Sequence, residues 1–203
     1  MSFASISPIV IASHNQGKVK EFRALLEPLR IQVLSATDVN LEEPEETGHS
    51  FAANAELKAR HAQLSSPYAA LSDDSGLVIE GLGGAPGIYS ARWAGPDKNW
   101  NAAFERIRTE FVLRKSSAEG ASAYFICALC LCLPNGNVHH FEGRIDGILT
   151  FPPRGTYGFG YDPIFIPNGY DVTFGELDPK IKHEISHRAD AFHKFVSFLK
   201  GLS

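Results

Sequence analysis

The 203-residue sequence has few cysteines, no basic block and no long apolar run. A membrane-spanning helix needs about 18 consecutive apolar residues, and no stretch approaches that length. The first residues also lack a basic segment followed by an apolar run, so we expect a cytoplasmic protein. Because 19 Lys and Arg oppose 23 Asp and Glu, the net charge of -4 argues against binding to a nucleic-acid polymer.

The three cysteines, Cys127, Cys130 and Cys132, all lie in the apolar segment YFICALCLCL. This segment predicts a buried strand, in which residues three apart point to opposite faces. Extended geometry then holds the thiols of the CxxC spacing too far apart for a disulfide. Reduced core thiols are the preferred interpretation, and a metal or redox pair is the alternative.

What is present is a mixture of strand and helix patterns that predicts an α/β protein. Strands are predicted at 8–12, at about 69–72 and at 76–80. A hairpin is predicted in which strands 122–133 and 138–149 flank Asn135-Gly136, a dipeptide able to take positive φ at both turn positions. Helices are predicted from Lys18, after Ser50, near 98–114 and from Ser186, with a structured Gly-rich loop at 81–95. We expect residues 1–203 to form a single domain: a mixed twisted sheet with flanking helices, in two lobes with a central active-site cleft.

The tetrapeptide DDSG, Asp73 to Gly76, places two adjacent carboxylates between apolar runs. Charges beside a core are unfavourable unless they are paired. A polar turn is one interpretation, because Asp, Ser and Gly are common turn residues. The other is a strand end that directs Asp74 toward a metal ion and water, with Gly76 letting the chain turn and Asp73 capping local amides.

Two further segments have groups suited to a phosphate and a metal. In ASHNQGK, helix N-terminal amides with Gly17 and Lys18 suit a phosphate, although the spacing is not that of a Walker A loop and an ordinary polar loop is the alternative. The acidic run LEEPEETG resembles a solvated loop. Mg²⁺ needs only one or two carboxylates, however, and Glu45 with Asp74 could supply them.

Two later segments contain groups that could bind a planar ring. GTYGFGYDPIF alternates glycines with aromatics, which predicts either an apolar wall for a base or a glycine-punctuated turn with aromatics in the core. KHEISHR gathers Lys182, His187 and Arg188 at the start of the last helix, either as ligand contacts or as a helix cap and surface pair.

Five blocks, taken in order, resemble a known family. They are IASHNQGKVKEF, EETGHSFAANAELKAR, LSDDSGLVIEGLGGAPGIYSARWAG, FGYDPIF and EISHRADAF, and they span about residues 9 to 199. Together they resemble the non-canonical purine nucleoside triphosphate pyrophosphatases, the inosine triphosphatase or Ham1-like family. The resemblance implies an elongated two-lobed α/β fold, a homodimer, and Mg²⁺-dependent hydrolysis of dITP, ITP and XTP to the monophosphate and pyrophosphate.

The resemblance also implies roles for the matching residues. Asp74 would bind Mg²⁺ together with Glu45 and would orient or deprotonate the water, and Ser75 would contact substrate. The triphosphate would be bound by Ser13, His14, Asn15, Gln16, Gly17 and Lys18. The nucleoside would be bound by Phe159, Gly160, Tyr161, Asp162, Lys182, His187 and Arg188.

Base selection can be argued from hydrogen-bonding groups. Hypoxanthine and xanthine have a 6-oxo acceptor, which donors from His187 and Arg188 would satisfy, whereas adenine would place an amino group against those donors.

One departure from the family is His14, where a small residue, commonly Gly, is usual. If that position needs positive φ, His is less comfortable there than Gly.

Two other functions remain as alternatives. One is a related pyrophosphatase that acts on another nucleotide, such as a modified pyrimidine, and substrate profiling separates it. The other, of a different class, is a catalytically silent nucleotide-binding protein. The joint presence of Lys18, Glu45 and Asp74 favours an enzyme, because a silent binder has no physical need for metal-binding carboxylates.

Overall fold

The computed structural model describes residues 6–201, and its β-structure is one mixed sheet. Within that range the strands are β1 (Ile9–Ile11), β2 (Val33–Ser35), β3 (Ala69–Ile79), β4 (Ser122–Cys132), β5 (Val138–Leu149) and β6 (Phe165–Pro167). Their order is β2-β1-β3-β4-β5-β6. Strand β1 pairs parallel with β2 and β3, whereas β5 pairs antiparallel with β6. The predicted mixed sheet is therefore confirmed.

The helices are α1 (Gln16–Leu26), α2 (Phe51–Leu64), α3 (Ser90–Trp93), α4 (Trp100–Leu113), α5 (Pro179–Ile185) and α6 (His187–Gly201). Helices α1, α2, α4 and α6 begin close to the predicted positions, whereas α3, inside the predicted Gly-rich loop, and α5 were not predicted. Ser50 caps α2 as expected, because its Oγ accepts the Ala53 N–H at 3.1 Å. In the part of the chain that the structure describes, every helix is too short or too polar to cross a membrane.

The chain divides into two compact units. The first contains the described residues up to Asp74, Ala128–Glu142 and the described residues from Ala191. The second contains Ser75–Cys127 and Gly143–Asp190. The arrangement of two lobes with a central cleft stays a prediction.

In the first unit, small side chains bring α2 close to the sheet. Ala55 and Ala59 are fully buried and pack against Ala128, Cys130 and Cys132. Because helical residues four apart share a face, the same packing fixes the direction of Asn54 and Lys58. Both side chains contribute to the site described below.

The buried β4 thiols allow a direct chemical test. Cys127, Cys130 and Cys132 are buried in the strand as predicted, and burial raises the pKa of Cys130 to about 12. Because the thiolate is the reactive form, we expect Ellman's reagent to leave the native protein unmodified and to modify three thiols in denaturant. Rapid reaction of the native protein would show that β4 opens in solution.

The second unit has an aromatic core. Phe125 lies 4.7 Å from Phe165 and 6.0 Å from Phe174, measured between ring centroids. Helix α4 contributes Ala103, Phe104, Ile107 and Phe111, all buried as its spacing predicted.

The prediction of two strands separated at DDSG was wrong. Strand β3 runs without a break from Ala69 to Ile79 and includes all four residues. The chain does not turn at Gly76, and Asp73 and Asp74 lie in mid-strand. The reason is that cationic side chains from other elements pair with both carboxylates, so neither has to leave the strand to reach water.

The hairpin was predicted correctly, but its turn was not. The Gly136 N–H donates to the Leu133 carbonyl at 2.8 Å, and the Leu133 N–H donates to the Asn137 carbonyl at 2.9 Å. Gly136 has φ +84°, but Asn135 is outside the positive-φ region. Pro134 explains the difference, because its fixed negative φ favours the second position of a type I turn and moves the left-handed residue to Gly136.

Candidate active site

Asp73 and Asp74 point to opposite faces of β3, as neighbouring strand residues do. Asp73 forms an ion pair with a residue of α1: Lys18 Nζ lies 2.7 Å from Asp73 Oδ2. The Asp73 side chain is only 1% exposed, so this ion pair is buried at the acidic end. Asp73 therefore positions Lys18, a role that the sequence reasoning did not assign to it.

Asp74 is met by α2. Its Oδ1 lies 3.3 Å from Lys58 Nζ, and its Oδ2 accepts a hydrogen bond from Asn54 Nδ2 at 3.2 Å. Asn54 Oδ1 accepts the Gly48 N–H at 2.8 Å. Since the oxygen is taken by that N–H, the amide nitrogen of Asn54 faces Asp74.

Lys58 joins two carboxylates. Besides Asp74, its ammonium binds Glu46 Oε1 at 2.7 Å, and the Lys58 side chain is 9% exposed. Glu46 belongs to the acidic run that precedes α2, so Lys58 and the Asn54–Gly48 bond together hold this run beside β3.

The electrostatics of this cluster suit a base. Burial raises the pKa of Asp74 above its ordinary 3.8, an effect that Lys58 opposes and Glu46 reinforces. Burial alone would lower the pKa of Lys58, but Asp74, Asp73 and Glu46 outweigh it and raise the pKa above 10.5. Lys58 is therefore a permanent cation, and Asp74 is a stronger proton acceptor than an exposed aspartate.

The residues fit a hard divalent cation. Within residues 6–201 no group of three His, Cys, Asp or Glu side chains is arranged to hold a metal ion by itself. Mg²⁺ does not need such a group, because it binds through one or two carboxylates with water and substrate phosphate oxygens. Oxygens of Glu46 and Asp74 already converge on one cation, the Lys58 ammonium.

The sequence reasoning missed Glu46, Asn54 and Lys58. Glu45, the predicted ligand, is exposed, whereas its neighbour Glu46 is half-buried and binds Lys58. The available signal was the four-residue spacing of Asn54 and Lys58 in FAANAELKAR, which places both on one face of a predicted helix.

The predicted phosphate loop lies at the start of α1. Asn15 caps the helix, since its Oδ1 accepts the Gly17 N–H at 3.0 Å. His14 avoids positive φ, and its ring Nε2–H donates to the Leu41 carbonyl at 2.8 Å. The departure at His14 therefore introduces no left-handed backbone. Ser13 through Lys18 stay predicted triphosphate contacts.

The second unit contains a separate cluster around Phe159. Asp162 Oδ2 accepts the Phe159 N–H at 2.7 Å and also binds the Lys182 ammonium. Gly158 is required there: its φ is +74°, and a Cβ would lie 2.0 Å from Asp162 Oδ2. Burial raises the pKa of Asp162, and Lys182 opposes that effect.

Two cations approach the exposed ring of Phe159. Lys182 Nζ lies 5.1 Å and the Arg188 guanidinium carbon 5.9 Å from the ring centroid. Arg188 Nη2 also donates to Ser75 Oγ at 3.3 Å. His187 is buried, and its ring stacks on Phe125 at 5.0 Å.

Segment GTYGFGYDPIF contributes one aromatic ring to the surface and another to the core. Phe159 is 51% exposed, whereas Tyr161 is 3% exposed. The Tyr161 hydroxyl donates to the Ser90 carbonyl at 2.9 Å, and its ring lies edge-on to Trp100 at 5.2 Å. Gly160 takes positive φ between them. The Phe159 ring is thus accessible to a planar ligand, whereas Tyr161 packs in the core.

The predicted site residues fall into two groups. The first unit contains Ser13 to Lys18, Glu45 and Asp74, and the structure pairs Lys18 with Asp73, the neighbour of Asp74 in β3. The second unit contains Ser75, Phe159 to Asp162, Lys182, His187 and Arg188. The division falls between Asp74 and Ser75, which are consecutive residues of β3.

Comparisons with known proteins place these residues in a family. The family model described as Ham1 family matches residues 9–198. A dITP/XTP pyrophosphatase of Rhodospirillum centenum is 54% identical over 93% of both chains, and one of Caulobacter vibrioides is 49% identical over 94% of this chain and 97% of its own. A HAM1 protein from Coxiella burnetii has a similar solved structure, with a TM-score of 0.89, 36% identity, and coverage of 96% of this chain and 99% of that chain.

These matches extend over nearly the whole chain and include both groups of residues described above. The chain belongs to the Ham1 family.

Proposed function

We propose that this enzyme hydrolyses non-canonical purine nucleoside triphosphates, chiefly dITP, ITP and XTP, to the nucleoside monophosphate and pyrophosphate. The observation that carries this proposal is the buried carboxylate Asp74, held by Lys58 and Asn54 beside Glu46, in a chain that is 54% identical to a dITP/XTP pyrophosphatase. Such an enzyme removes these nucleotides from the cellular pool.

In the proposed reaction, water adds to a phosphorus atom and the bond between the α- and β-phosphoryl groups breaks. Asp74 accepts the proton from water, a role to which its raised pKa is suited. Asn54 keeps the carboxylate oriented by donating to Oδ2. Lys18, positioned by Asp73, contributes positive charge to the phosphate oxygens.

Asp74 and Glu46 would hold Mg²⁺, with Glu45 as the alternative carboxylate. When bound, the metal would neutralise phosphate charge and make the water more acidic. Carboxylate oxygens are the hard ligands that Mg²⁺ prefers. The protein's contribution is to bring the two carboxylates to one cation position, which the Lys58 contacts support.

We propose that the second cluster binds the nucleoside. Phe159 offers an exposed ring for stacking on the base, and Lys182 and Arg188 surround it with donors. Donors from His187 and Arg188 would match the 6-oxo group of hypoxanthine or xanthine and would be mismatched with the adenine amino group.

Phe159→Ala should raise the KM for dITP about tenfold with a smaller change in kcat, because stacking of a base on an aromatic ring contributes about 1–3 kcal/mol. Tyr157→Ala is the matched control, since Tyr157 is 53% exposed in the same segment and Phe159 is 51% exposed. Steady-state kinetics of both variants give the answer. Equal KM values for the two variants would remove Phe159 from the base site.

The decisive experiment measures pyrophosphate release from dITP, XTP, dATP, dGTP and dCTP, each with and without Mg²⁺. We expect metal-dependent release that is confined mainly to dITP and XTP. Preferential release from a pyrimidine nucleotide would favour the related pyrophosphatase of different specificity. Nucleotide binding without release from any substrate would favour the silent binding protein.

We further propose that the enzyme is a homodimer, as the family resemblance implies, and that it acts in the cytoplasm. Light scattering coupled to size exclusion should give the mass of two chains. A mass of one chain at micromolar concentration would contradict the dimer and leave the proposed chemistry unaffected.

A further inference from the structure

Lys58 lies where a cation is required. Its ammonium is 2.7 Å from Glu46 Oε1 and 3.3 Å from Asp74 Oδ1, and its side chain is 9% exposed. Two carboxylates that converge in a poorly hydrated place repel each other unless a positive charge lies between them. In the structure, Lys58 supplies that charge.

The other positive charge in the cluster has a different partner. Lys18 binds Asp73 Oδ2 at 2.7 Å, and Asp73 points to the opposite face of β3 from Asp74. The two lysines thus form ion pairs with different carboxylates. Lys58 forms ion pairs with both Glu46 and Asp74, the two carboxylates that are suited to bind metal.

The backbone that carries Lys58 is fixed, but its ammonium is not. Ala55 and Ala59, on the same helix, are fully buried against β4, so α2 cannot easily shift. A lysine side chain has four flexible methylene groups, which allow the ammonium to move without movement of the helix. Lys58 can therefore leave the carboxylates by rotation of its side chain alone.

We propose that Lys58 occupies the cation position between Glu46 and Asp74 in the metal-free protein, and that a divalent metal ion binds there only by displacing the Lys58 ammonium. This inference rests on the proposed metal-dependent function. Its consequence is that the metal affinity of the free enzyme is set by competition with Lys58. Once displaced, the Lys58 ammonium would be available to substrate phosphate oxygens.

The test is titration of the nucleotide-free protein with Mn²⁺ by calorimetry. Lys58→Met keeps the length of the side chain and removes the charge, so it should bind Mn²⁺ at least about tenfold more tightly than the wild type. Lys18→Met is the matched control, because it removes the same charge from the same cluster but not from the metal carboxylates. It should change the affinity much less.

A second variant covers the case in which Lys58→Met does not fold, as judged by circular dichroism. Lys58→Arg retains the charge and can bind a carboxylate through two N–H groups, so it should bind Mn²⁺ more weakly than the wild type. An affinity of Lys58→Arg equal to or above that of the wild type would contradict displacement.

Each remaining outcome has a definite meaning. Equal gains in Lys58→Met and Lys18→Met would show a general charge effect and overturn the proposal. An unchanged or lower affinity in Lys58→Met would overturn it as well. Pyrophosphate release from dITP by the wild type, measured on the same sample, separates these results from failure of the proposed function: release with no gain in Lys58→Met overturns the inference alone.

Discussion

Asp74→Asn is expected to lower kcat for dITP by roughly 10²–10⁴-fold, the range for loss of a positioned general base. The substitution keeps the shape of the side chain and can still accept from Asn54, but it removes both the proton acceptor and a metal ligand. The carboxylate that is removed is buried and contacts the Lys58 ammonium. Single-turnover measurement of pyrophosphate release separates the chemical step from nucleotide binding.

Asp97→Asn is the control for this prediction. Asp97 is an exposed carboxylate in the second unit, and its substitution changes the net charge equally. It should retain wild-type kcat, and both variants should show cooperative thermal unfolding. Near-normal turnover by a folded Asp74→Asn protein would refute the assignment of Asp74.

Asp162→Ala is expected to lower the free energy of unfolding by about 3 kcal/mol, toward the lower end of the range for breaking a buried ion pair. The Asp162 side chain is 5% exposed and that of Lys182 is 12% exposed, so the variant leaves a largely buried ammonium without its partner. It also removes the acceptor for the Phe159 N–H. We therefore expect a raised KM for dITP as well, because the Phe159 ring loses its anchor.

Asp162→Asn distinguishes the two roles of this carboxylate. Its Oδ1 can still accept the Phe159 N–H, so KM should lie closer to the wild type than in Asp162→Ala, while stability stays reduced. Urea unfolding measures the stability, and steady-state kinetics measure KM. Identical KM values for Asp162→Ala and the wild type would show that Asp162 does not position Phe159.

Local periodicity predicted most of the secondary structure. Helices α1, α2, α4 and α6 follow from apolar residues at helical spacing, and the Ser50 cap follows from a hydroxyl placed before such a pattern. These features depend on residues within one or two turns of each other. The β4–β5 hairpin was also predictable, because its two strands are separated by a short loop containing Gly136.

The sequence alone also identified the chain's family through five ordered blocks, and it predicted Lys18, Asp74 and the Phe159 to Asp162 segment as site residues. It did not distinguish Glu45 from Glu46, because neighbouring acids in a loop have the same local chemistry. The tertiary structure separates them: the Asn54–Gly48 hydrogen bond holds the run beside β3, and Lys58 binds Glu46 while Glu45 is exposed.

The tetrapeptide DDSG also separates what the sequence determines from what the tertiary structure determines. Their composition determined that a charged site lies within an apolar segment, but local rules favoured a turn or a strand end. Only the tertiary structure decided that β3 continues through them, because their partners Lys18 and Lys58 lie on two other elements of the chain. Short-range patterns determine where helices and strands form, whereas the burial of a charge depends on counter-charges that folding brings from distant positions.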